Sequence, residues 1–145
     1  MKTLTFIRQS RPEQGGFNDQ AINADGLKVC ARTWPNPFQH STGKTCQQAY
    51  GAMVPGIYPA VFMANHPRFG RCFEIAGGGE IPCEWDNVNH GGRPVMSEVF
   101  NHHGETDEWS GSAGCLTVKA SQALAWFAGY ADGEAVNIDL QEVAA

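Results

Sequence analysis

Two histidines and a cysteine stand close together in the segment Val99-Phe100-Asn101-His102-His103-Gly104-Glu105-Thr106-Asp107-Glu108-Trp109-Ser110-Gly111-Ser112-Ala113-Gly114-Cys115-Leu116-Thr117-Val118. A thiol served by an imidazole is an apparatus for nucleophilic acyl transfer. A free cysteine titrates near about 8.5, so little thiolate is present at neutral pH. A neighbouring imidazole can take the proton and hold the thiolate as an ion pair. The second ring nitrogen needs an acceptor, often a backbone carbonyl, to fix its tautomer. Glycine before the nucleophile lets substrate approach the backbone and leaves nearby N–H groups for an oxyanion hole. The candidate catalytic residues are therefore Cys115 with His102 or His103. Ser112, Ala113, Gly114 and Trp109 are the candidate oxyanion and substrate contacts.

These residues depend on the elements that carry them. Val95–His102 reads as a strand that ends in the histidines, and Cys115–Val118 opens another. The polar loop Gly104–Gly114 joins them. A separation of twelve or thirteen residues between histidine and cysteine suffices for strand, loop and return. Successive strand residues face opposite ways, so only one of His102 and His103 can face Cys115. Gly111-Ser112-Ala113-Gly114 lacks the Gly-x-Ser-x-Gly spacing of a hydrolase nucleophile elbow. Other side chains have lesser claims. Glu105, Asp107 and Glu108 can bind a substrate amine, or form a solvated acidic loop. Arg32, Arg68 or Arg93 can meet a substrate carboxylate, and the sequence does not choose among them. His66, before Pro67, reads as a turn residue.

The remaining elements follow from alternation and turn residues. Thr3–Arg8 predicts an opening strand. Asp19–Asn23 and Leu27–Thr33 predict a hairpin around Ala24-Asp25-Gly26, with the Asp-Gly signature of a type I′ turn. Trp34–Thr45 predicts a loop. Its Gly43-Lys44-Thr45 resembles the end of a phosphate-binding loop, but Phe38 stands where the first glycine belongs, which rejects nucleotide binding. Tyr58–Ala64 and Arg71–Ala76 predict strands around the Asn65–Gly70 turn, and Ile81–Pro94 reads as polar and irregular. One helix is expected, capped by Ser121, with Leu124, Phe127 and Ala131 as its apolar stripe and Asp132-Gly133 as its stop. Ala135–Leu140 predicts a last strand. The fold class is mainly β, an antiparallel sandwich or barrel with one short helix near the C-terminus.

Composition bounds the function. The 145 residues are expected to form one domain, 1–145. A 17% charged fraction with 17 glycines and 8 prolines favours short strands and tight turns. The net charge of −5, without a basic run, argues against nucleic acid and anionic membrane surfaces as partners. No stretch has the length of a membrane span. The start of the chain lacks the apolar core of a secretory signal. The five cysteines, Cys30, Cys46, Cys72, Cys83 and Cys115, permit two disulfides and one free thiol. Cys72–Cys83 and Cys30–Cys46 are the sequence-local pairs. Their alternative is buried reduced thiols. No zinc-finger spacing occurs.

The motif around Cys115 resembles the signature of the L,D-transpeptidase catalytic domain and its compact relatives. The matching residues are His102/His103-Gly104 and Ser112-Ala113-Gly114-Cys115-Leu116. Val54-Pro55-Gly56-Ile57-Tyr58 is similar to the strand entry of the same domains. The resemblance implies a β-rich fold of that type, a nucleophile at Cys115, a histidine base and peptidoglycan stem peptides as substrate, without a cofactor. Alignment on His-Gly selects His103, whereas the compact His-x-Gly form selects His102. Two positions depart from the family pattern. Ala113 stands where histidine is usual, and Leu116-Thr117 follow the cysteine where an arginine is usual. These departures favour cleavage, as an L,D-carboxypeptidase or endopeptidase, over L,D-transpeptidation.

Such an enzyme would work in the periplasm or cell wall after cytoplasmic synthesis. It would serve a phage in lysis or act as a secreted antibacterial effector. An effector would bring an immunity or inhibitor protein as partner. Two alternatives compete with this reading: a zinc-dependent cell-wall amidase, and a non-catalytic β-rich phage or cell-wall-binding module.

Overall fold

The computed structural model describes residues 1–143. Among these, the strands are β1 (Lys2–Arg8), β2 (Asp19–Ile22), β3 (Lys28–Arg32), β4 (Gly56–His66), β5 (Gly70–Ile75), β6 (Ile81–Asn87), β7 (Arg93–Met96), β8 (Phe100–His103), β9 (Leu116–Val118) and β10 (Ala135–Glu142). Two short helices, α1 (Cys46–Ala49) and α2 (Ala123–Trp126), accompany them. Eight strands close into a barrel in the order β1-β10-β4-β5-β8-β9-β3-β2, and β2 pairs back onto β1. Most neighbours are antiparallel, while β1 with β10 and β8 with β9 are parallel. β6 and β7 form a separate hairpin. The fold is mainly β, as alternation predicts. No helix among the described residues is long and apolar enough to cross a membrane.

Alternation explains the core. Leu4 and Phe6 of β1, Phe62 of β4, Ile75 of β5 and Val136, Ile138 and Leu140 of β10 are all buried. Burying each such side chain contributes about 1.5–3 kcal/mol. Trp126 is fully buried and meets Phe6 edge-on, with ring centroids 5.6 Å apart. Its Nε1–H donates to Asn101 Oδ1 (2.9 Å), and Asn101 Nδ2 donates to the Leu116 carbonyl (3.2 Å). Asn101 thus ties β8 to β9 from inside the core.

Several expectations are corrected. The helix is shorter than predicted and is preceded by a 3-10 turn over Ala120–Gln122. Of the expected stripe Phe127 is buried but Leu124 is 75% exposed, and Trp126 takes its place on the buried face. The Ser121 N–H is capped by Asp107 Oδ1 (2.7 Å), so Ser121 receives a cap rather than providing one. The β2–β3 turn has positive φ at Gly26 alone of its residues (84°), so it is not type I′. Asn23 Oδ1 accepts from the N–H groups of Asp25 and Leu27 and closes the turn instead. The Ile81–Pro94 stretch is a hairpin, not irregular chain. Val95–His102 is broken into β7 and β8, and Glu98 between them adopts φ 55°. All five cysteines are free, so neither sequence-local disulfide forms.

An arginine cluster joins the hairpin β6–β7 to the barrel. Arg8 is fully buried, and its guanidinium lies 3.7 Å from the Trp34 ring centroid. Trp34 in turn stacks on Trp85 of β6 at 6.1 Å. Arg8 also donates to Thr33 Oγ1 (2.9 Å) and to the Thr33 carbonyl (2.8 Å). Glu84 of β6 lies 3.8 Å from the same guanidinium.

Candidate active site

The parallel pairing of β8 and β9 decides where the sequence-predicted residues go. Asn101 pairs with Leu116 and His102 with Thr117. The Gly104–Cys115 loop therefore carries the chain back alongside β8, and the return is parallel rather than a hairpin. Cys115 is set beside the start of β8, where the Phe100 N–H donates to its Sγ at 3.4 Å.

Cys115 and His102 line one cavity of about 700 Å³. His66, at the end of β4 and paired with Gly70 where a turn residue was expected, contributes with Arg68 and Phe69 of the β4–β5 turn, and the end of the polar loop contributes Gly111, Ala113 and Gly114. The hairpin β6–β7 closes another side with His90, Met96 and Ser97. His103 is exposed and is absent from the cavity wall. Its ring stands at 89° to that of His102.

His102 is held in one tautomer. Its Nδ1 lies 2.6 Å from the His103 carbonyl oxygen, which can only accept, so Nδ1 carries the proton. Nε2 is then a bare acceptor, the state required of a base. His102 is buried, and its ring is stacked on Phe69 with centroids 4.1 Å apart. Phe69 continues through Phe100 at 5.3 Å and His66 at 5.1 Å. His66 Nδ1 accepts from the N–H groups of Arg68 (3.1 Å) and Phe69 (3.2 Å), so it shapes the turn that presents both.

The electrostatics differ from the ion pair expected from residue types. Burial is the main cause that pushes the Cys115 thiol up to about 11, against the Phe100 N–H bond and the nearby Arg68 charge, which favour the thiolate. Burial also pulls His102 down to about 4, and His103, Arg68 and His66 reinforce this by repulsion. The resting pair is therefore neutral thiol and neutral imidazole.

The loop before Cys115 is built by Ser112. Its hydroxyl donates to the Cys115 carbonyl (2.9 Å) and accepts the Gly114 N–H (3.0 Å). The Ser112 N–H is taken by Ser110 Oγ, which donates to Asn36 Oδ1. Ser112 is buried and outside the cavity wall, where it fixes the loop. The Gly114 N–H is thus occupied. The N–H groups of Ala113 and Cys115 have no hydrogen-bond partner among the described residues and are the pair available to an oxyanion. Gly114 has φ 132°, and a Cβ there would stand 2.6 Å from the Gly51 carbonyl oxygen and 2.7 Å from Met96 Cε. Close packing against Gly51 and Met96 by itself requires a glycine here. Trp109 packs on His40 (4.5 Å) and Phe38 (5.6 Å), away from the cavity wall.

The three candidate arginines separate clearly. Arg32 is buried and donates to the carbonyls of Pro35 (2.9 Å) and Pro12 (3.1 Å). Arg93 pairs with Glu80 at 2.7 Å on the surface. Arg68 alone of the three lines the cavity, and it makes no ion pair among the described residues. Glu105, Asp107 and Glu108 lie outside the wall, whereas Glu74 and Glu98 are part of it. No three His, Cys, Asp or Glu side chains converge as a metal site among the described residues. His90, Ser97 and Glu98 belong to no motif, and only the folding of β6–β7 brings them to the wall.

No family model, curated protein or solved structure matches this chain.

Proposed function

We propose that this protein is a cysteine-nucleophile acyl-transfer enzyme acting on peptidoglycan stem peptides, of the L,D-transpeptidase type in fold and chemistry. The observation that carries the reading is the meeting of Cys115, tautomer-fixed His102 and the unpaired Arg68 on one cavity. Arg68, supplied by the β4–β5 turn, stands in for the arginine that the family-like motif lacks after its cysteine. The guanidinium binds the terminal carboxylate of the peptide.

In the proposed reaction, Cys115 Sγ attacks the carbonyl carbon of the bond between an L-centre and a D-residue. The thiol proton moves to His102 Nε2 as the C–S bond forms. The Ala113 and Cys115 N–H groups hold the oxyanion. His102 then gives the proton to the leaving amine, and the C–N bond breaks. Water attacks the thioester and loses its proton to His102. The C–S bond breaks, and the proton returns to the thiolate. Hydrolysis, as an L,D-carboxypeptidase or endopeptidase, is the favoured outcome, and an amine in place of water would give transpeptidation. The cell wall is then the place of action, in phage lysis or as a secreted effector with a cognate immunity protein.

Digestion of purified muropeptides with wild type and Cys115→Ala, read by mass spectrometry, tests the proposal. Loss of the terminal D-residue with wild type only is the expected result. An unchanged muropeptide profile with wild type would overturn the substrate class.

A further inference from the structure

The hairpin β6–β7 brings a second hydrogen-bonded pair to the same cavity. His90 Nε2 and Ser97 Oγ lie 2.9 Å apart, and both residues line the wall. His90 Nδ1 is buried without a hydrogen-bond partner among the described residues. That asymmetry selects the tautomer. Were Nε2 to accept the seryl proton, Nδ1 would carry a buried N–H with no acceptor, at a cost of about 1–3 kcal/mol. Orphaned donors are rarer in proteins than under-used acceptors. Nε2 therefore carries the proton and donates to Ser97 Oγ. The seryl hydroxyl keeps its own proton, which no acceptor on His90 can take.

The backbone supports a use for that proton. Glu98, next in the chain, is a non-glycine residue at φ 55°. Holding it there costs about 1–2 kcal/mol. The Glu98 N–H bond to the Gly78 carbonyl (3.1 Å) and the Ile75 N–H bond to the Val99 carbonyl (2.9 Å) maintain it. This kink breaks what alternation predicts as one strand and leaves Ser97 on the cavity wall. Backbone strain retained at a cavity is a mark of a functional position. Glu98 and Glu74 line the wall as well. Their carboxylates disfavour a second anion near Ser97, so the fitting acceptor is neutral.

We propose that Ser97 is a substrate-binding residue whose hydroxyl donates to a peptide carbonyl oxygen of the bound stem peptide, and that His90 is the positioning residue that orients it. The proposal rests on the peptide reading of this cavity and assigns a contact to a wall the motif residues do not reach. A peptide thus meets Arg68 with its carboxylate, Cys115 with its scissile carbonyl, and Ser97 with a further backbone carbonyl.

The test titrates a synthetic stem tetrapeptide ending in a D-residue into Cys115→Ala protein by calorimetry. Adding Ser97→Ala is expected to weaken binding about three- to tenfold, the worth of one neutral hydrogen bond. Ser97→Thr, which keeps the hydroxyl, is expected to retain it. Equal affinity with Ser97→Ala overturns the proposal, and so does absence of any binding to Cys115→Ala. The ¹⁵N shifts of the His90 ring, read with and without the peptide, test the tautomer that the positioning role requires. Nε2 protonated with Nδ1 bare is expected, and the opposite tautomer overturns the assignment. Turnover by wild type is read separately. A peptide that binds through Ser97 but is not cleaved removes the nucleophile reading and leaves this one standing.

Discussion

The ring of Phe69 lies flat on that of His102, with centroids 4.1 Å apart and planes 8° from parallel. This contact removes one face of the imidazole from water, and desolvation is the main reason His102 titrates at about 4. Phe69→Ala is expected to raise the His102 pKa toward 6.5, measured by NMR titration of the ring. An unmoved value would assign the dryness to the barrel wall instead.

The high thiol pKa makes a prediction about alkylation. With Cys115 pushed up to about 11, its thiolate fraction at pH 7 is smaller than that of an unstructured cysteine. Iodoacetamide should modify it slowly at neutral pH and progressively faster as pH approaches 11. Peptide mapping of the modified protein separates Cys115 from the four other thiols. Fast labelling of Cys115 at pH 7 would contradict a neutral resting pair.

His102 also sets a pH dependence of stability. The unfolded imidazole titrates at the ordinary 6.5 and the native one at about 4. Between those values the unfolded chain binds a proton that the native state does not, so stability falls as pH drops through this window and levels off below it. The gap corresponds to about 3 kcal/mol. Urea midpoints from pH 8 to pH 3 should show this loss, and His102→Gln should reduce its slope over the same window.

Much of the barrel is legible in the sequence because its strands have one apolar face. Leu4 and Phe6, or Val136, Ile138 and Leu140, announce themselves by period two. The hairpin β6–β7 does not. Its buried residues, Ile81, Cys83, Asn87 and Met96, are interspersed with Pro, Glu, Asp and Gly, and its packing runs through Arg8, Trp34 and Trp85. A fully buried arginine has no apolar signature. That His102 and Cys115 would lie near one another was readable from spacing, and both line the one cavity, but the parallel direction of β8 and β9 was not, since the loop length allows either. The choice of Arg68 over Arg32 and Arg93 depends on which carbonyls and carboxylates surround each guanidinium, which no local motif encodes.

Arg68 offers a sharp substitution. Its loss should raise KM for a peptide with a free C-terminal carboxylate by about ten- to a hundredfold, as expected for a charged hydrogen bond. The same change should matter little for the corresponding C-terminal amide. Steady-state kinetics of Arg68→Ala and Arg68→Lys on both substrates measure this, with Lys recovering only part of the loss because it lacks the planar fork. Equal effects on acid and amide would sink the carboxylate role.

Gly114→Ala tests the loop. The added Cβ meets the Gly51 carbonyl oxygen at 2.6 Å in a backbone conformation that alanine rarely adopts. The variant is expected to lose about 2–4 kcal/mol in urea unfolding, from overpacking and backbone strain together. Ala113→Gly, one residue away and exposed, should change stability by less than about 1 kcal/mol.

β10 lies between β1 and β4, paired parallel to one over seven residues and antiparallel to the other. The two strands it joins, Lys2–Arg8 and Gly56–His66, are both complete long before residues 135–142 are made, so each keeps an open edge until that segment arrives. On a ribosome, the barrel therefore stays unclosed while the cysteine loop is already synthesised. Emergence of residues 135–142 is what allows the barrel to close, and a nascent chain stalled short of it leaves the facing edges of β1 and β4 unpaired.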